Sequence, residues 1–285
     1  MNTERGGLHH GDRAVSLSIG ATPMSMSLAD LRSVPHLSVS RIKTFLQCPQ
    51  KHALQYIEHI EAAFRPIAFA FGTAFHEAVG AHLSRTTSQE ELVTIFRDNL
   101  TAAVGADGPP VLFDEEETDL DATINVGARM LQAFISKVPR PGRVLGVEVP
   151  FALELAHPVT GEVASLPVIG AIDALVHVEG GVGVWEVKTG KRKWSADQLE
   201  FDLQSTAYRM AARAMGYDDA EVTLLVATKT KTPDVQIERL VRHVRDEREL
   251  AETALTVIRA TEAGIDHRVR GWTCKACPYA DACGA

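Results

Sequence analysis

Gly170-Ala171-Ile172-Asp173-Ala174-Leu175-Val176-His177 and Val184-Trp185-Glu186-Val187-Lys188-Thr189-Gly190-Lys191 are two short, mostly apolar stretches on either side of Gly180-Gly181. Both read as strands, and a Gly-Gly dipeptide between them favours a tight hairpin. With the tip on Gly180-Gly181, Asp173 lies opposite Lys188 and Leu175 opposite Glu186. Successive side chains alternate between strand faces, so Asp173, Glu186 and Lys188 share one face. Two carboxylates and an ammonium then meet among apolar neighbours, where charge needs compensation. A divalent cation would supply it, and hard oxygen donors suit Mg²⁺ or Mn²⁺. The lysine could orient or deprotonate a water and neutralise developing charge. A one-residue slip would separate Asp173 from Glu186, and an exposed hairpin with cross-strand ion pairs is the alternative reading.

Outward from the hairpin, the hydrophobic period switches between two and 3.6. Arg143 to Leu155 and Pro167 to His177 read as strands that precede Val184 to Lys188. Glu148, on the first, is read as an acidic neighbour of the site or a surface pairing residue. Downstream, Ser195 to Met215 reads as one helix stopped by Gly216. Glu221 to Thr228 and Val235 to Arg242 read as strands, and Asp246 to Ala263 as a helix ending at Gly264. In the N-terminal half, Ser38 or Ser40 can cap a helix carrying Ile42, Phe45 and Leu46. Pro49 interrupts it and can open the next helix, which leaves Cys48 at the junction. Further helices are expected over Gly72 to Leu83, Gln89 to Val104 and Ile124 to Val138. Residues 1–36 read as an irregular, mobile tail with a short helix around Met26 to Ser33. The order predicts an α/β (α+β) core in one domain, residues 37–285, with a helical N-terminal part.

The chain has 285 residues, 45% hydrophobic and 23% charged, with a net charge of −8. That is globular composition with ample core. No apolar run reaches the roughly 18 residues of a membrane span, and the N-terminus lacks a signal-peptide pattern. A reducing, cytoplasmic location is the expectation, with no membrane partner. There, clustered cysteines bind metal or do redox chemistry more often than they form disulfides. The acidic total argues mildly against a nucleic-acid binder, but it is unevenly distributed. Asp114 to Glu117 carry much of the negative charge, while Lys191, Arg192 and Lys193 form a basic group suited to phosphate contacts just beyond the second strand. Thr189-Gly190-Lys191 is not a P-loop, because Trp185 stands where that motif needs glycine. Three of four cysteines fall at Cys274, Cys277 and Cys283, and the fourth is Cys48.

Together these elements resemble the PD-(D/E)XK nuclease superfamily, in its RecB-like branch with an iron–sulfur cluster, of the Cas4 and AddB nuclease-domain type. Asp173 followed by Glu186-Val187-Lys188 resembles the signature motif. Phe71-Gly72-Thr73-Ala74-Phe75-His76 looks like the G-x-x-x-H element, and Gln204-Ser205-Thr206-Ala207-Tyr208 like the Q-x-x-x-Y element. Leu37 to Pro49 resembles the family's opening. The resemblance implies a restriction-endonuclease-like core with a mixed central sheet flanked by helices. It implies that His76, Asp173, Glu186 and the Val187 carbonyl hold Mg²⁺ or Mn²⁺. Lys188 would act on the attacking water, and Gln204 and Tyr208 would hold Lys188 or the DNA backbone. Cys48, Cys274, Cys277 and Cys283 would carry a [4Fe–4S] cluster as a clip formed by residues 272–285 with Cys48; zinc is the alternative for these thiolates. The implied activity is end-directed cleavage of single-stranded DNA in repair, recombination or CRISPR adaptation, with protein partners from those processes. A DNA-binding or adaptor subunit with a vestigial site, or a zinc-stabilised interaction module, are the alternative functions.

Overall fold

The computed structural model describes residues 26–85, 87–115 and 117–284. The short helix α1 (Leu28–Arg32) is fixed by a Ser27–Asp30 capping box. Residues 1–25 of the expected tail lie outside the described residues. A two-residue strand β1 (Leu37–Ser38) runs into α2 (Val39–Gln47), which Ser38 caps by accepting from the Arg41 N–H. Pro49 opens α3 (Pro49–Tyr56) as its first residue, and Cys48 sits between the two helices in extended conformation, as expected.

A helical layer follows. Strand β2 (Arg65–Pro66) leads into α4 (Ile67–Ser84), then come α5 (Gln89–Gly105), β3 (Val111–Leu112) and α6 (Leu120–Lys137). Helix α4 starts five residues earlier than its periodicity predicts, because Pro66 provides an N-cap backbone and Ile67 is already buried. The sheet strands are β4 (Val144–Leu153), β5 (Val168–Val178) and β6 (Gly181–Gly190). The single helix expected from Ser195 to Met215 is instead two, α7 (Ala196–Glu200) and α8 (Leu203–Ala214). Asp202 causes the break, since its carboxylate accepts the Ser205 N–H and restarts the helix. Strands β7 (Glu221–Thr228) and β8 (Val235–Leu240) and helix α9 (Val244–Glu262) complete the core. A 3₁₀ turn (Trp272–Ala276) and the short α10 (Ala280–Cys283) close the chain.

The main sheet is mixed and has six strands in the order β1-β5-β6-β7-β8, with β4 on the other edge of β5. β4 and β6 run antiparallel to β5, whereas β1–β5 and β6–β7 are parallel pairs. One face packs on α4, α5 and α6 through Phe71, Phe75, Phe96 and Phe134 against Val176, Trp185 and Val187. The other packs on α2, α8 and α9 through Ile42, Met210 and Leu250 against Leu175, Val184 and Val222.

The hairpin register differs from the sequence expectation. Leu175 pairs with Val184 and Val178 with Gly181, so the turn is Glu179-Gly180. Gly181 already belongs to the strand, and Gly180 alone takes the left-handed conformation the turn needs, with φ 91°. The correction is two residues. An even slip keeps every side chain on its face, so the shared face of Asp173, Glu186 and Lys188 survives.

Packing between α5 and α6 generates a stability prediction. A Cβ on Gly127 would fall 2.1 Å from the buried Phe96 ring, whereas one on Gly105 would meet nothing within 4 Å. Gly127→Ala is expected to cost about 1–3 kcal/mol by overpacking, while Gly105→Ala is neutral or stabilising by up to ~1 kcal/mol. Chemical denaturation of both variants checks this.

Candidate active site

The β5–β6 ladder ends at Ala174–Trp185, and beyond that pair the strands part. Strand β1 occupies the same edge of β5 only at Val168 and Ile169. Between these contacts the sheet opens into a fork. Gly170, Ala171 and Asp173 line it as part of a cleft of about 580 Å³ shared with His76, Glu148, Gln204 and Tyr208. Parting the strands would orphan the Val187 N–H, and the Asp173 carboxylate takes it at 2.7 Å through Oδ2.

A continuous polar chain runs through the fork. The Tyr208 hydroxyl donates to Asp173 Oδ1 at 3.0 Å, and Gln204 Nε2 donates to Tyr208 at 2.8 Å. Lys188 Nζ donates to Gln204 Oε1 at 2.8 Å and stands 2.9 Å from Glu186 Oε1. The Ser205 hydroxyl lies 2.6 Å from Glu186 Oε2 and 2.8 Å from Asp202 Oδ2, with a single proton to give. Asp202 in turn pairs with Lys43 of α2 at 2.7 Å. The Gln204–Tyr208 spacing of one helical turn is what lets one helix face reach both Lys188 and Asp173.

A second group faces the open side. His76 projects from α4, with Nδ1 3.7 Å from Asp173 Oδ2. His76, Glu148 and Asp173 each offer a ligand atom within 4.8 Å of the others. Glu148 lies between the β4–β5 pairs Val147–Ala174 and Val149–Ile172, which sets it across from Asp173. Its φ of 50° is rare for a residue with a side chain, and such local strain concentrates at functional sites. Of the two readings of Glu148, this exposed position across from Asp173 fits the acidic neighbour of the site and not the surface pairing residue. Glu186 stands apart from the trio. It is fully buried, and its Oε1 accepts no well-aligned hydrogen bond.

The charges respond to this setting. Burial raises the Glu186 carboxyl, partly opposed by Lys188. Burial pulls the Lys188 ammonium down, but Glu186 and Asp173 outweigh it and leave its pKa raised, so the group is a cation at neutral pH. Burial lowers His76, against the attraction of Asp173 and a backbone hydrogen bond to Val187, and keeps the imidazole in the neutral form that ligates metals. Glu148 is exposed as a residue, but desolvation of its carboxyl against the cleft, then the nearby Asp173 and Glu77, push it up to about 7. The donor set, one neutral imidazole and two carboxylates, fits a hard divalent cation.

A model of the PD-(D/E)XK nuclease superfamily matches residues 36–284. The chain belongs to that superfamily. It is 27% identical to the gene 69 protein of Mycobacterium phage L5 over 232 residues, covering 65% of this chain and 72% of the phage protein. A solved structure from Eubacterium rectale, described as a "Putative exonuclease", superposes with a TM-score of 0.55 at 14% identity, covering 91% of this chain and 94% of its own. That likeness supports the mixed-sheet nuclease fold.

Two further features of this nuclease-family chain bear on its chemistry. All four cysteines are free, and Cys48, Cys274, Cys277 and Cys283 line one small cavity with Leu54 and Tyr279. Lys191 and Arg192 line a basic cavity of about 500 Å³ with Arg129, Lys229 and Lys231. Glu117 also lines this cavity and pairs with Lys229 at 2.8 Å, Lys191 stands 3.5 Å from Asp114, and Lys193 is drawn to Asp234 at 2.7 Å. Two participants escaped the sequence reading: Asp202, which supports Ser205, and Lys43, which pairs with Asp202. An acidic residue inside the otherwise apolar Val144–Leu153 strand was the available signal for Glu148.

The raised Glu148 pKa yields a pH prediction for the metal-free protein. A carboxyl raised on folding favours the native state below its ordinary value of 4.5, and that contribution is lost as pH rises through about 7. Glu148→Gln should therefore change the melting temperature little at pH 4 and raise it relative to wild type at pH 8. Thermal denaturation without divalent metal, across that range, checks the sign.

Proposed function

We propose that this chain is a divalent-metal-dependent deoxyribonuclease that degrades single-stranded DNA from its ends, and that its cysteines hold a [4Fe–4S] cluster. The observation that carries the hydrolytic reading is the convergence of His76, Glu148 and Asp173 within 4.8 Å, linked through Tyr208 and Gln204 to Lys188. His76, Glu148 and Asp173 would hold Mg²⁺ or Mn²⁺; the resemblance also implies Glu186, which stands outside this trio, and the Val187 carbonyl as donors. Such an ion supplies a water of lowered pKa and neutralises charge on the phosphate.

The protein's own residues divide the remaining work. Lys188, kept charged by Glu186 and Asp173, orients the attacking water and stabilises the extra negative charge of the pentavalent phosphorus. Gln204 and Tyr208 hold Lys188 and Asp173 at fixed separation through their hydrogen bonds. Lys191 and Arg192, just past the end of β6, suit contacts to flanking phosphates. End-directed action on single strands, in repair, recombination or CRISPR adaptation, follows from the resemblance.

The cluster reading rests on the donor set. Four thiolates are what a [4Fe–4S] cluster takes. A cluster here would tie the α2–α3 junction to the C-terminal turn, and it requires the reducing cytoplasm in which free thiols persist.

Two measurements test this. End-labelled single-stranded DNA is incubated with Mn²⁺ and anaerobically purified protein, wild type or Glu186→Ala. Cleavage is expected in the wild type, reduced by about 10²-fold or more in the variant. Equal cleavage by both, or by neither with the cysteine site loaded, would overturn the assignment. The wild-type preparation should be brown, absorbing near ~400 nm; a colourless, zinc-containing protein would contradict the cluster.

A further inference from the structure

We propose that the surface around Trp272 is a stacking platform for unpaired bases of a DNA strand, resting on the reading of the chain as a DNA nuclease. Trp272 is 86% exposed. A single exposed apolar residue is ordinary by itself, so its surroundings decide the matter. It opens the 3₁₀ turn Trp272–Ala276, which is held by the Cys274 N–H to Gly271 and the Cys277 N–H to Cys274. The ring is therefore carried on an ordered turn beside the cysteine cavity. It shares a groove of about 240 Å³ with Val269 and with Lys51 of α3.

Between the exposed Asp266 and Asp281, the charge along the chain around this ring is of one sign. From His267 to Ala280 the chain has Arg268, Arg270 and Lys275 and no acidic residue, although the whole protein carries −8. Arg268, Arg270 and Lys275 are exposed, and Lys51 is half-buried. Among the described residues, none of these four cations is engaged in an ion pair. A local cationic face on an acidic protein draws a polyanion to that face and away from the rest of the surface.

The combination of an exposed aromatic face with flanking cations is the pairing that single strands use. Each base has a π-face, stacking is tolerant of sequence, and the cations follow the phosphates. A duplex keeps its bases stacked on one another, so the ring offers it little. The platform therefore discriminates strand state, and it lies apart from the residues assigned to hydrolysis.

The test is binding of a labelled oligothymidylate of about 20 nucleotides to the full-length protein by fluorescence anisotropy, without divalent metal. Wild type, Trp272→Ala and Trp272→Phe are compared, with iron content and melting temperature matched. Trp272→Ala should weaken binding by about tenfold, Trp272→Phe should restore most of it, and binding to a duplex of equal length should change little. Equal affinity of wild type and Trp272→Ala, equal weakness of the Ala and Phe variants, or an equal loss on the duplex would each overturn the platform. Cleavage of the same oligonucleotide with Mn²⁺ is measured in parallel. Wild type that cuts while Trp272→Ala binds normally refutes only the platform; wild type that neither binds nor cuts refutes the nuclease reading with it.

Discussion

The structure depends on one departure from regular pairing: β5 cannot keep β6 beside it along its whole length. One edge of β5 is served by β4 throughout, while the other is shared between β1 at its start and β6 at its end. Any gap between two partners leaves backbone groups that must be satisfied, because an unpaired buried N–H costs about as much as a lost hydrogen bond. The Asp173 carboxylate meets that demand at Val187. The same side chain that repairs the ladder thereby faces the cleft, next to His76 and across from Glu148. Fold and site are joined at this residue.

Placing charge inside a sheet then has to be compensated. Glu186 is wholly buried, and an isolated carboxylate there would cost several kcal/mol. Lys188, Ser205 and Asp202 surround it, and Lys43 brings a cation from α2 to complete the chain. The members come from three elements, β6, the start of α8 and α2, so the network couples α2 and α8 to the strand that carries Glu186 and Lys188. Removing one partner strands another, which makes these positions sensitive for stability as well as for chemistry.

Much of this was legible in the chain itself. Period-two runs located β4 to β8 within a few residues, because strands with a buried face must alternate. Ser38, Pro49 and Gly264 marked helix ends by capping chemistry that is local. The Q-x-x-x-Y spacing announced that Gln204 and Tyr208 share a helix face. What escaped was set by geometry that no local pattern encodes. The break at Asp202 lies inside a continuous helical period and is visible only once its carboxylate is seen to cap Ser205. The choice between the two readings of Glu148 turns on the β4–β5 register, which is long-range, and on a backbone conformation that its residue type disfavours. The hairpin turn was misplaced by the choice between Glu179-Gly180 and Gly180-Gly181, and the error was harmless only because it was even. The convergence of Cys48 with the C-terminal cysteines followed from the resemblance and not from any local rule.

The central claim is that the strand fork is a site for a divalent cation built on Asp173. Calorimetric titration of the metal-free protein with Mn²⁺, wild type against Asp173→Asn, tests it most directly, with circular dichroism to show that both are folded. The account predicts about one bound ion per wild-type chain through the convergent imidazole and carboxylates, and loss of that binding in the variant. Equal binding by the two folded proteins, or none by the wild type, would contradict it.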